Sequence, residues 1–308
     1  MSSNRLALFG VPWFSVIAAI VLGVILANRA ETFGAWFLIV SALFFGLPHG
    51  ACDFWILQRS FNRENKLLKI GLSLTSYLVL VCATIWLWLN FAGFALIGFL
   101  LLSAWHFGSG DAIWTSNGFK QFLIQSTGRG LLIIFAPLVF YPDESRATLL
   151  PLTENSPNAE LIWSIAPFLL IIGIVLQFGA SIFTSRATAF ILLIENVLLL
   201  TLFAFTTPLF AVAVYLIGVH SWRHLWRLEN NFATETLSLE KSWRVAFDFH
   251  VRALPFTILS LVGIVLIFWL WDIRLVDLAQ FTKVYLILLS ALTVPHATLV
   301  LLMEMRKN

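Results

Sequence analysis

Apolar residues run through this chain in blocks of roughly 20, the length a helix needs to cross a hydrocarbon core. Polar residues gather between the blocks. Ten blocks can be drawn: Leu6–Ala27, Gly34–Leu57, Ile70–Asn90, Ala92–Phe107, Phe122–Tyr141, Leu161–Phe183, Ala187–Thr206, Leu209–Leu228, Leu254–Trp271 and Val284–Met303. The fourth is short, and only Thr207 and Pro208 separate the seventh from the eighth. The pattern predicts an all-α, polytopic transmembrane helical bundle of about ten spans (eight to ten). Residues 1–308 read as a single integral membrane domain, without a soluble domain, a low-complexity tract or a convincing repeat.

Composition agrees. The 308 residues are 60% hydrophobic and 11% charged, with a mean hydropathy of +0.91, which no soluble globular domain matches. The 13 Trp and 29 Phe suit interface anchoring and also a pocket for a flat apolar ligand. The net charge of +3 comes from loop Lys and Arg, and no nucleic-acid partner is expected. Cys52 and Cys82 both fall in apolar blocks, which speaks against a disulfide framework. The N-terminal block is too long for a signal-peptide core and is read as the first span.

Charge bias orients the spans. With the N-terminus in the cytoplasm, Arg5, Arg59, Arg63, Lys66, Lys69, Lys120, Arg186, Arg227, Lys241, Arg244, Arg252, Arg306 and Lys307 fall inside. Only Arg29, Arg146, Arg274 and Lys283 fall outside, as the positive-inside rule expects. The expected place is the cell inner membrane, multi-pass, with both termini cytoplasmic. The outer loop Tyr141–Glu160 is acidic. In the longest inner loop, Ser238–Arg252 reads as an interfacial amphipathic helix with Trp243, Phe247 and Val251 on one side.

The histidines change the picture from architecture to chemistry. His49, His106, His220, His224 and His296 lie in the second, fourth, eighth and tenth spans, and all four spans run from outside to inside. At the helical rise, His106 and His224 sit roughly 4–6 Å, and the other three roughly 10–14 Å, above the inner end. Imidazoles in hydrocarbon are costly and mark a function by default. Several in one slab point to a metal site in the cytoplasmic half.

His220 and His224 are spaced i, i+4 and share a helix face. His49 follows Pro48, which frees a carbonyl one turn earlier and bends the helix. Gly50 after it permits close approach, and Asp53 at i+4 could accept the second ring proton of a liganded His49. His106 precedes Gly108-Ser109-Gly110-Asp111, read as a helix stop and turn. Asp111 is either a support for a ligand or a solvated loop residue. His296 follows Pro295 and is a fifth ligand, a hydrogen-bonding support for one, or a polar contact to substrate. His250, beside Arg252 in the inner loop, is read as a membrane-surface residue. Arg129 and Glu195 fall within spans and are expected to pair with each other or with Asp53. Of the aromatic residues near the histidines (Phe44, Phe45, Trp55, Trp105, Phe107, Trp222 and Trp226), a few are expected to line a ligand channel. All-imidazole ligation suits iron, copper or zinc.

In order along the chain, GLPHGACD, SAWHFG, HSWRH and TVPH resemble motifs of the Brp/Blh family of bacterial and archaeal β-carotene 15,15′-dioxygenases. The resemblance implies a non-haem Fe(II) enzyme that splits β-carotene, or a related carotenoid, with O2 at the central double bond into two retinal molecules. It implies His49, His106, His220 and His224 as iron ligands and catalytic residues, with His296 in the same centre. It also implies a functional link to a microbial rhodopsin. In the last motif the family tends to have methionine after PH and an aspartate further on, where this chain has Ala297 and Glu304. Two other readings compete. An intramembrane zinc hydrolase of the ceramidase-like type would use HxxxH with an early histidine and aspartate, such as His49 and Asp53. A metal transporter or an assembly factor for a retinal protein would not be an enzyme. The almost wholly apolar outer halves of the histidine-bearing spans speak against a transport path.

Overall fold

A computed structural model describes residues 6–26, 30–60, 65–153, 156–232, 242–270 and 278–305. These residues form helices and short connections, with no strand among them. Nine of the described helices are long and apolar enough to cross a membrane. The predicted eighth span is also helical, continuous from Pro208 to Phe232 in three segments. It falls outside the nine because His220, Arg223, His224 and Arg227 interrupt its apolar face.

The helices are α1 (Val11–Ile25), α2 (Ala30–Ser41), α3 (Leu47–Ser60), α4 (Lys66–Asn90), α5 (Ala92–Ala112), α6 (Phe119–Phe140), α7 (Pro142–Leu149), α8 (Pro157–Ile182), α9 (Arg186–Phe205), α10 (Pro208–Tyr215), α11 (Trp222–Phe232), α12 (Ser242–Leu270) and α13 (Leu278–Met305). Three π-helical turns join this series: π1 (Leu6–Gly10) before α1, π2 (Ala42–Gly46) between α2 and α3, and π3 (Leu216–Ser221) between α10 and α11. π2 stands immediately before Leu47-Pro48, where a proline without an N–H was expected to disturb the preceding turn.

Local chemistry sets several boundaries. Gly118 takes φ +90°, a left-handed backbone that favours glycine, in the turn before α6. Ser185 caps α9 by accepting the Thr188 N–H at 3.3 Å. Thr206 and Thr207 are extended and Pro208 opens α10, so the predicted division of the seventh and eighth spans holds.

The chain forms two compact units. The first comprises Met1–Gly46, Ser103–Ala147 and Glu160–Phe249. Its core is α6, buried almost continuously from Gln125 to Leu138. Small residues let neighbouring helices cross it closely. A Cβ on Gly108 would collide with the Ser126 carbonyl, and one on Gly130 with the Ala104 carbonyl. A Cβ on Gly128 would lie 2.9 Å from that of Leu176 on α8. α9 packs on α6 and α1, and α10 packs on α2. The turns π2 and π3 also touch each other. The second unit comprises Leu47–Leu102, Thr148–Ala159 and His250–Asn308. There α13 packs on α4 and α3, and Trp88 donates its indole N–H to Ser290 Oγ at 2.9 Å.

Two expectations are corrected. Gly108–Asp111 is not a helix stop: α5 continues through it to Ala112. The glycines serve close packing there, and Asp111 is buried and neutralised rather than solvated. Ser238–Arg252 is not a separate interfacial helix. Residues 238–241 lie outside the described residues, and from Ser242 the helix runs unbroken into the predicted ninth span as α12. Phe247 and Val251 are exposed on it, whereas the side chain of Trp243 lies outside the described residues. The acidic connection Tyr141–Glu160 contains α7 and a 3-10 turn (Leu150–Thr153).

Candidate functional site

In the first unit, the C-terminal end of α5 meets π3. Residues His106 and Gly110, and Phe107 and Asp111, repeat at i, i+4, so all four lie on adjoining strips of one helix surface. His106 Nε2 and His220 Nε2 face each other at 3.1 Å, with ring centroids 4.8 Å apart. Both rings are buried. Phe107 stands edge-on to His220 at 4.7 Å. Gly110 gives His220 its room: a Cβ there would lie 3.3 Å from His220 Cε1. His224, one turn on, is buried and stacks on His220 at a centroid distance of 6.4 Å.

The π-helical turn explains why His220 faces α5. In a regular α-helix, Tyr215 and His220 would point about 140° apart. The i→i+5 spacing of a π turn brings such residues onto one face. Tyr215 and His220 accordingly lie nearly parallel, 32° between planes with centroids 6.3 Å apart. π turns of this kind occur often at functional sites.

A charged cluster adjoins the histidines. Arg223 Nη1 lies 2.9 Å from Asp111 Oδ1, and Arg223 Nη2 contacts Glu195 Oε1. Arg129 Nη2 lies 2.8 Å from Glu195 Oε2, and its Nε lies 3.7 Å from Asp111 Oδ2. Tyr215 donates its hydroxyl to Asp111 Oδ2 at 3.1 Å, and Trp13 donates its indole N–H to Glu195 at 3.2 Å. Asp111, Arg129, Glu195 and Arg223 are 4%, 2%, 5% and 2% exposed. Charges so buried are tolerable only when paired. Two carboxylates and two guanidiniums balance.

The second unit holds a different arrangement. His296 Nδ1 lies 2.7 Å from Asp53 Oδ1, and Tyr77 donates its hydroxyl to Asp53 Oδ2 at 3.1 Å. A carboxylate at Nδ1 fixes a histidine's tautomer and directs Nε2 outward from the pair. Asp53, expected to support His49, thus has His296 and Tyr77 as partners. His49 is on α3, and its side chain lies outside the described residues, as do those of Trp55 and Glu304.

Of the sequence-predicted residues, the structure brings His106, His220 and His224 together in one unit and Asp53 and His296 together in the other. The Arg129–Glu195 pairing is present. Asp111 pairs with Arg223 and Arg129, so it belongs to the charged cluster and not to a solvated loop. His250 is half-buried within α12. Among the described residues, no three His, Cys, Asp or Glu side chains form a group that could hold a metal ion. His106 and His220 supply two neighbouring imidazole nitrogens, the donor type that transition ions take. The observed contact serves equally as a hydrogen bond between rings of suitable tautomer.

Sequence reading missed Arg223, Tyr215, Tyr77 and Trp13. The signal for Arg223 was present: it is a charge inside an apolar block, between His220 and His224. The three aromatic residues carry no such signal, because their polar atoms matter only through partners distant in sequence.

Comparison with known proteins bears on the same residues. The family model described as "Beta-carotene 15,15'-dioxygenase" matches residues 40–304. A protein of that name from uncultured marine bacterium 66A03 is 28% identical over 269 residues, covering 86% of this chain and 92% of the relative. "Probable beta-carotene 15,15'-dioxygenase Blh" of Halobacterium salinarum is 26% identical over 293 residues, covering 87% of this chain and 83% of the relative. No solved structure matches.

Proposed function

The chain belongs to the beta-carotene 15,15'-dioxygenase family, and on that premise we propose that it splits β-carotene, or a closely related carotenoid, at its central double bond into two retinal molecules. The two relatives carry that activity in their names. The observation that carries the reading is the buried pair His106 and His220, facing through Nε2 inside the matched region. Both atoms of O2 end in the two aldehydes, so the substrate supplies all the electrons and no reductant is needed.

Fe(II) is the metal of this reading. On the sequence resemblance, His49, His106, His220 and His224 would hold it, and the facing Nε2 atoms of His106 and His220 support this for two of them. When bound, the iron supplies a redox-active centre with positions open to O2. All-imidazole ligation leaves its charge uncompensated, and the neutral four-charge cluster beside the histidines leaves that unchanged. Neither asks for a proton donor, which suits a reaction in which no proton is consumed. Phe107, edge-on to His220, gives the pair an apolar wall that keeps water from it. A polyene dissolves in lipid, so the chain takes its substrate within the bilayer, where its residues orient the central double bond and exclude water. Both termini lie on the cytoplasmic side in this account, supported by the charge bias of the connecting segments.

The test is expression in carotenoid-producing cells. Loss of orange colour with retinal in the extract is expected. Unchanged colour with folded, iron-loaded protein would defeat the reading. Metal analysis of the purified protein separates iron from zinc.

A further inference from the structure

We propose that the buried Asp111–Arg223 ion pair, together with the Tyr215 hydroxyl, is the device that positions His106 and His220 face to face. This inference rests on the metal reading above. The three residues do not touch the paired nitrogens in this role; they are positioning residues.

The argument starts from what the two helical segments exchange. From α5 come His106, Phe107, Gly110 and Asp111; from α10, π3 and α11 come Tyr215, His220 and Arg223. His220 meets His106, Phe107 and Gly110. Tyr215 meets Phe107 at 5.3 Å and donates to Asp111 at 3.1 Å. Arg223 reaches Asp111 at 2.9 Å. Every contact joins the same two surfaces, so one slip along or around either helix would undo all of them at once.

The ring contacts of Phe107 with Tyr215 and His220 resist such a slip but lack a fixed direction. Gly110 presents no side chain to interlock with the His220 ring, and in lipid no hydrophobic force drives one helix to a particular register against another. Directional contacts must set it. The hydroxyl is directional and the ion pair ties Arg223 to the same carboxylate, and they lie on both sides of His220 in sequence, at Tyr215 and Arg223. The π turn brings Tyr215 and His220 onto the same face. The Arg129–Glu195 pair completes the charge balance from α6 and α9, and so holds Arg223 from its other side.

The clearest probe is Co(II), whose visible bands report ligand number and geometry without turnover. It is titrated into metal-free, full-length protein in detergent. Three variants are compared with the parent: Tyr215→Phe, Asp111→Asn, and Asp111→Asn combined with Arg223→Gln. The double variant removes one charge of each sign and leaves Arg129 and Glu195 paired. It is expected to unfold near the parent's midpoint, yet to bind Co(II) about 10–100-fold more weakly, with shifted bands. Tyr215→Phe keeps the ring and removes one oxygen. It is expected to keep the fold and lose about tenfold in Co(II) affinity, and it decides the matter should the charged variants not fold. A merely structural role would move unfolding and leave the cobalt spectrum alone. Parent-like Co(II) affinity and bands in both the double variant and Tyr215→Phe would overturn the proposal while leaving the metal reading in place. A parent protein that binds Co(II) no better than His220→Ala would overturn both.

Discussion

Glu195 is the carboxylate on which two buried guanidiniums meet, so its removal asks how much of the fold depends on the charged cluster. In Glu195→Ala, Arg129 and Arg223 keep Asp111 as their one shared counter-charge, and the Trp13 indole loses its acceptor. Breaking a buried ion pair by deleting one partner costs about 3–5 kcal/mol, because the remaining charge stays in a low dielectric. Against a usual total of about 5–15 kcal/mol, this is a fifth of the stability or more. Glu195→Gln keeps an acceptor oxygen and should lose less. Glu195→Gln with Arg129→Gln restores neutrality around Asp111 and Arg223 and should recover part of the loss. The assay is unfolding of purified protein in mixed micelles by SDS titration. A loss below about 1 kcal/mol for Glu195→Ala, the size of a solvent-exposed pair, would refute the argument that these charges are buried and mutually dependent.

Three further outcomes follow from the geometry. His220→Ala and His224→Ala should abolish both iron retention and retinal formation, whereas His250→Ala, half-buried on α12, should keep both, as read by elemental analysis and product chromatography. Gly110→Ala places a Cβ 3.3 Å from His220 Cε1; the ring must shift by a few tenths of an ångström, and metal affinity should fall about tenfold with unfolding unchanged. Asp53→Ala removes the partner of His296 Nδ1 and the acceptor of Tyr77. It should cost about 1–3 kcal/mol, and Tyr77→Phe about 1 kcal/mol, in the same SDS titration.

Most of the helical layout was legible because each span is a long apolar block, and the Thr207-Pro208 break was legible because proline opens a helix readily. The misreadings share one cause. Gly108–Asp111 carries the local chemistry of a turn, but those rules assume water. In the folded chain the glycines admit α6 and His220, and Asp111 finds Arg223, Arg129 and Tyr215. Asp53 lies at i+4 from His49 on α3, and it also meets His296, from a helix 243 positions further on. Spacing along one helix cannot reveal that. The sequence put His106 and His220 on different spans, and their contact is seen only in the fold. The π turn that aims His220 left no mark in the apolar pattern, since π3 lies in the middle of a continuous block.

The most direct measurement is oxygen uptake against retinal formed, on purified protein loaded with Fe(II) and given β-carotene. The account predicts one O2 consumed for every two retinal molecules, with no added reductant and with neither signal in His220→Ala. Uptake without retinal, products of unequal length, or retinal formed equally well by the zinc-loaded protein would contradict it.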